Sequence, residues 1–287
     1  MLRKRALVIA LAMAPGLCFW ARAEDIASPS AAVLETTTSA DSRLRWGAAL
    51  KLLLPSLRAR ADRRLESPDV RDFHHIDGDD AYVPPPPLLH VTDLAARDVV
   101  EHGKPRLLVL VGVDPPEGAL GMALLALIDP GPQPRLLDLV DVAGDRETYF
   151  DDLVRVKIAA DADLIGIVSA HLSAGEDAAL ADLIYVRDDR LLRLAQIGRQ
   201  SLSGCGFETR QTWALAALPG RGAEFDSLQV TVTETVKRTP DDCGAQKPPK
   251  PGCSVWRTVF KWDAKKLIFR PLSRDLDALQ EHNSTPR

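Results

Sequence analysis

The densest cluster of chemically competent side chains in this chain is Phe73-His74-His75-Ile76-Asp77-Gly78-Asp79-Asp80. Asp77, Asp79 and Asp80 around a glycine offer hard oxygen ligands on a tight turn, the donor set a calcium ion prefers. His74 and His75 would suit zinc, but adjacent side chains diverge and no third ligand follows at a zinc-site spacing. The fuller spacing of an EF-hand loop and its distal glutamate are also missing. Asp-Gly-Asp is equally ordinary turn chemistry, since Asp bonds its own backbone and Gly accepts positive φ. The reading adopted is a solvated turn, with no metal or other cofactor expected.

A second cluster follows a buried-looking strand, where His171 comes two residues after Ser169 and shortly before Glu176 and Asp177. A hydrolytic set needs a nucleophile, a base and an orienting acid that converge in space. No Gly-x-Ser-x-Gly elbow frames Ser169, so a hydrolase using His171 with Ser169 or a nearby acid stands as the alternative reading. Gly204-Cys205-Gly206 is a third candidate. A reactive thiol needs a neighbouring cation, histidine or helix N-terminus. Arg199 and Arg210 are near in sequence, but no Cys-x-x-Cys or Cys/His pattern accompanies them, so Cys205 reads as structural. Residues 112–121 (GVDPPEGALG) lack both the P-loop and the dinucleotide-binding spacing and read as a hairpin loop. Trp256 and Trp262 could line a ligand groove, although aromatic residues in strands serve mostly in packing.

These groups need a compartment and a scaffold. Arg3, Lys4 and Arg5 precede an apolar run over 6–20, and Ala21-Arg22-Ala23 supplies a small-x-small triplet. The pattern is that of a secretory signal cleaved between Ala23 and Glu24, which predicts a periplasmic or secreted protein. Beyond residue 23 the chain holds 32 basic and 40 acidic residues, a net charge of −8. That balance repels phosphate backbones and excludes a nucleic-acid partner. In an oxidising compartment two of Cys205, Cys243 and Cys253 should pair. The Pro- and Gly-rich excursion CGAQKPPKPGC favours Cys243–Cys253, with Cys205–Cys243 as the competing pairing.

Residues 24–42 are rich in Ala, Ser and Thr without apolar periodicity and read as a flexible leader. Over 44–65, Leu50, Leu53, Leu54, Leu57 and Ala61 recur at helical spacing, with Arg43, Arg45, Arg58, Arg60, Arg63 and Arg64 crowding the rest, predicting an amphipathic helix kinked or restarted at Pro55. Packing on the following domain is the preferred role for that helix. Attachment to an anionic membrane through Arg58, Arg60, Arg63 and Arg64 is the second alternative. Pro84 to Pro87 cannot be helix or central strand and should form an extended strap, so helix and strap together occupy 43–105.

From 106 to 272 the chain reads as strands. Residues 107–113 (LLVLVGV) and 164–169 (LIGIVS) are continuous apolar runs, suiting strands buried on both faces. Residues 228–236 (LQVTVTETV) alternate instead, with valines on one face and threonines on the other. Each of the three is followed by a strand pair with a tight connection, marked by Asp129-Pro130-Gly131, Asp188-Asp189 and Asp263-Ala264. The fold expected is mainly β, with antiparallel meander units repeated about three times as a partial propeller or a sandwich, and residues 273–287 as a tail. Without an assembled catalytic set, the leading functional reading is a non-catalytic binding or interaction module of the cell envelope, taking an unknown protein or small-molecule ligand.

Overall fold

A computed structural model describes residues 29–39, 41–78, 84–113, 122–143, 147–173, 176–220, 223–240 and 249–284. The expected signal with its Ala23/Glu24 junction, Asp79, Asp80 and Cys243 lie outside the described residues.

The chain enters through a 3-10 turn (Ala31–Glu35) and helix α1 (Trp46–Leu53), then β1 (Arg58–Ala59), β2 (Leu65–Ser67) and β3 (His74–His75). A first meander follows: β4 (Leu89–Glu101), β5 (Lys104–Val113), β6 (Met122–Asp129) and β7 (Arg135–Asp141). The second begins with β8 (Glu147–Ala159), β9 (Ala162–Ser173), β10 (Glu176–Arg187) and β11 (Arg190–Gly204). It continues with β12 (Phe207–Leu218), β13 (Ser227–Arg238), β14 (Gly252–Asp263) and β15 (Ile268–Pro271), and helix α2 (Asp275–Asn283) ends it.

The protein is mainly β, as the apolar patterning requires. Its hairpins do not separate into repeated blades. From β15 back to β9 every strand pairs with its sequence neighbour, and β4 then carries the order on through β5, β6, β7 and β3. All pairings are antiparallel except β3 against β7. The link between the two meanders is narrow, a single register pair of Glu101 with Ala162. Two of the tight turns have positive φ at both central residues, His102-Gly103 and Asp188-Asp189. That geometry matches the right-handed twist of the strands it joins.

Burial explains the two strand patterns. On β5, Leu107, Val109 and Val111 belong to one core with the buried residues of α1, while Leu108 and Leu110 belong to another with Ile165 and Ile167 of β9 and Ile184 of β10. Both faces are covered, hence the unbroken apolar run. On β13, Leu228, Val230 and Val232 enter a second core while the threonines between them are half-buried. Gly166 on β9 has a local reason. A Cβ there would sit 2.4 Å from Val154, whose side chain folds over it from the irregular stretch of β8 between Asp151 and Arg155.

The N-terminal expectations need correction. The helix stops at Leu53, ahead of Pro55, and Arg58 lies on β1 while Arg60, Arg63 and Arg64 lie in the turn that leads to β2. Two of them are tied to Glu66, Arg58 at 2.8 Å and Arg60 at 3.7 Å. Residues from 30 onward are an integral part of the fold, not a free leader. Val33 and Leu34 pack on the first core, and Thr38 Oγ1 donates to the Leu44 carbonyl at 3.1 Å. The β region begins at Leu89, not at 106, and the expected C-terminal tail is largely α2. Leu276 and Leu279, one helical turn apart, bring that helix onto the second core.

Candidate functional site

A cleft of about 1060 Å³ opens between residues 41–44, the first meander and Arg155 of β8. Its floor is charged yet internally paired. Arg106, on β5, is buried, and its guanidinium meets three carboxylates: Glu101 at 2.9 Å, Asp129 at 3.7 Å and Asp189 in a short contact. Burial works against the charge, but Glu101 and Asp189 prevail and hold this guanidinium above its ordinary pKa. Glu101 also accepts the Asp189 backbone N–H at 2.7 Å, so the β10–β11 turn is fastened to the tip of the β4–β5 hairpin. Arg155 donates to the Asp98 carbonyl at 3.0 Å and lies 3.5 Å from the buried Asp163.

The rim differs. Arg43 and Lys104 are exposed cations with no ion pair among the described residues, and Asp41 and Asp98 face the same space without one. Pro130, Pro132 and Pro134 stiffen the wall between β6 and β7. Fixed charges below and uncommitted charges of both signs above suit a small polar ligand bearing both signs.

The residues singled out in the sequence go elsewhere. Asp77 is held by Arg193 in a short contact, and its backbone N–H donates to His75 Nδ1 at 3.2 Å. His74 Nε2 lies 3.2 Å from Asp138 Oδ1, while Asp138 Oδ2 accepts the Leu191 N–H at 2.8 Å. Among the described residues, no group of three or more His, Cys, Asp or Glu is placed to hold a metal ion. The turn acts as a clasp, seating 73–78 against β7 and the β10–β11 hairpin.

That clasp reaches Asp182 on β10, which accepts from Gln196 at 3.1 Å and from Arg193 at 3.3 Å. Arg193 divides its charge between Asp77 and Asp182, and burial pushes the Asp182 carboxyl up to about 6. The folded state therefore binds this proton more tightly than the unfolded chain does. The stability it contributes is complete below the ordinary carboxylate range and is lost as pH rises through about 6. Asp182→Asn is expected to flatten that part of the stability–pH profile and to raise stability at pH 7 by about 1–3 kcal/mol. Urea unfolding of both proteins at pH 4.5 and pH 7 checks this, and parallel profiles would refute it.

Ser169 and His171 do come together, on the wall of a hollow of about 350 Å³ between β9, β10, β11 and the end of α2. Ser169 is 4% exposed, and its hydroxyl shares a hydrogen bond with Thr148 at 3.0 Å. The two nearby acids point elsewhere: Glu176 accepts from Gln200 at 2.6 Å, and Asp177 lies 3.8 Å from Arg199. Cys253 is a free, exposed thiol among the described residues, and Cys243, common to both expected pairings, lies outside them. Trp262 belongs to the second core, and Trp256 lies beside His282 of α2 with ring centroids 4.9 Å apart.

Sequence reasoning did not find Arg106 or the cleft. The one available signal was an arginine at the head of an apolar strand, which proximity in sequence does not connect to Asp129 or Asp189. Comparison of the chain with protein-family models, curated proteins and solved structures finds no match, so geometry alone supports a functional reading.

Proposed function

We propose that this protein is an exported, non-catalytic binding module of the cell envelope, and that the cleft over Arg106 takes a small zwitterionic ligand. The observation carrying this is the pairing pattern of the cleft. Its buried charges are neutralised by one another, while Arg43, Lys104, Asp41 and Asp98 at the rim remain uncommitted among the described residues. A ligand with an ammonium and a carboxylate can pair with both signs without disturbing the floor. The buried, bonded hydroxyl of Ser169 gives less support to the hydrolase alternative, and the Glu66-paired arginines give less to the membrane alternative.

The test is a thermal-shift titration of the protein purified from a periplasmic extract, using amino acids and dipeptides against simple dicarboxylates and diamines. The expected result is a rise in Tm of a few degrees with dipeptides only, abolished by Lys104→Glu together with Arg43→Glu. No shift with any probe, or one that survives both substitutions, would remove the cleft from consideration. Retention of residues 1–23 in the intact mass would remove the export reading.

A further inference from the structure

Helix α2 lies in a trough on the inner face of the second meander. One wall is β11, whose residues 194–196 line a hollow at the start of the helix and 198–200 a hollow at its end. The other wall is β14, with Trp256, Thr258 and Phe260. The floor between them carries Gln211 of β12 and Glu234 of β13, cross-strand neighbours 1% and 3% exposed. A carboxylate at that position is unexpected by local logic. Leu228, Val230 and Val232 fill the preceding inward positions of the same strand, and burying a charge is costly unless it is paired.

The helix supplies part of that pairing. His282 Nε2 lies 3.1 and 3.2 Å from the two Glu234 oxygens, and its ring lies against Trp256 at a tilt of 43°. Gln211 Nε2 donates to Glu234 at 2.9 Å and to Asn283 Oδ1 at 2.7 Å. Leu279, 2% exposed, is the one fully buried residue of the helix. The inward face thus presents an apolar anchor, a basic ring three residues on and an amide four residues on. This is how an amphipathic helix seats in a receptor groove. The seat is incompletely filled, with hollows of about 430 and 350 Å³ at the two ends of the helix. Nine residues are also too few for a helix to persist in water without its docking contacts.

We propose that the trough is a helix-docking groove and that α2 is its resident, displaceable occupant. The partner that fits is a protein segment forming an amphipathic helix, with a leucine-like side chain followed three positions later by a basic one and four later by an amide. Glu234 recognises the base, Trp256 lies against it, Gln211 pairs with the amide, and the pocket of Leu279 takes the apolar anchor. The end hollows accommodate a helix longer than α2. The proposal is independent of the Arg106 cleft, with which the trough shares no lining residue.

Two measurements on the full chain test it. In hydrogen exchange on the wild-type protein, α2 amides are expected to exchange at least 100-fold faster than those of β13 at residues 228–234. Equal protection would make α2 a fixed strut and overturn the proposal. In the second, a fluorescein-labelled peptide of sequence SRDLDALQEHNS, that of residues 273–284, is titrated into the wild-type chain and into Leu279→Asp. Saturable binding to Leu279→Asp is expected, at least tenfold weaker to wild type, where the resident helix competes. It should be lost when the peptide positions of Leu279 and His282 are alanine. Absent binding, equal binding to both proteins, or a Leu279→Asp chain without cooperative β-sheet unfolding would each overturn the proposal. Dipeptide-induced shifts at the cleft of the wild-type chain do not depend on either result, so the two readings fail separately.

Discussion

Arg106→Met is expected to lower the free energy of unfolding by about 3–5 kcal/mol, because it strands a buried carboxylate without its countercharge. Glu101 and the Arg106 side chain are 3% and 6% exposed, so water cannot replace the lost partner. The methionine would retain the packing of the aliphatic stem, which isolates the electrostatic loss. The decisive control is the double variant Arg106→Met with Glu101→Gln. Removing both charges should recover a large part of the loss, since a buried pair replaced as a unit is close to neutral. Guanidinium unfolding of the four proteins closes the cycle. Should the double variant prove as unstable as the sum of the two single ones, the pair is not the source. The same substitution should loosen the β10–β11 turn, since Asp189 contacts Arg106 through its side chain and Glu101 through its backbone.

Phe225→Ala is the second large effect, also expected at about 3–5 kcal/mol from lost burial and the cavity left behind. Phe225 comes from the connection between β12 and β13, yet it is 2% exposed. Its ring meets Trp262 edge-on at 4.8 Å and also contacts Tyr185 and Phe269, at 5.8 Å each. Burial in this cluster pushes the Tyr185 hydroxyl up to about 12. Denaturant unfolding followed by tryptophan fluorescence measures the cost, and a loss under 1 kcal/mol would show that the site closes over. Because Trp262 borders the cavity, its native emission should also change, which separates a local effect from global fraying.

The contrast between these two positions shows what could be read in advance. Residues 107–113 announce their environment because every side chain is apolar, and only a strand covered on both faces tolerates that. Residues 228–236 announce theirs by alternation. Asp188-Asp189 announces a tight turn because aspartate tolerates positive φ. Each of these signals is local. Phe225 gives none, being an isolated aromatic residue in a polar stretch, and Arg106 gives only its place at the head of an apolar strand, because its partners lie 5, 23 and 83 residues away.

The same distinction accounts for the misplaced elements. Leucines at helical spacing continue past Pro55, but a proline removes a backbone donor and clashes with the preceding turn, so the helix ends at Leu53. The arginines then follow a hairpin to Glu66. In the acidic turn, Asp77 pairs with Arg193, more than a hundred residues later, which no local pattern reveals. Ser169 and His171 share a strand face by simple period-two geometry. Whether that face meets solvent, Thr148 or α2 depended on strands folded over it.

By itself, the sequence determined the mainly β class, the buried and half-buried character of individual strands, several tight turns and the acidic charge of the chain beyond residue 23. All of these depend on neighbours within a few residues. The tertiary structure decided how the strands continue into one large sheet, which acids surround Arg106 and Arg193, and where α2 comes to rest. Those outcomes depend on contacts between distant segments, whose energies exist only once loop closure has brought them together.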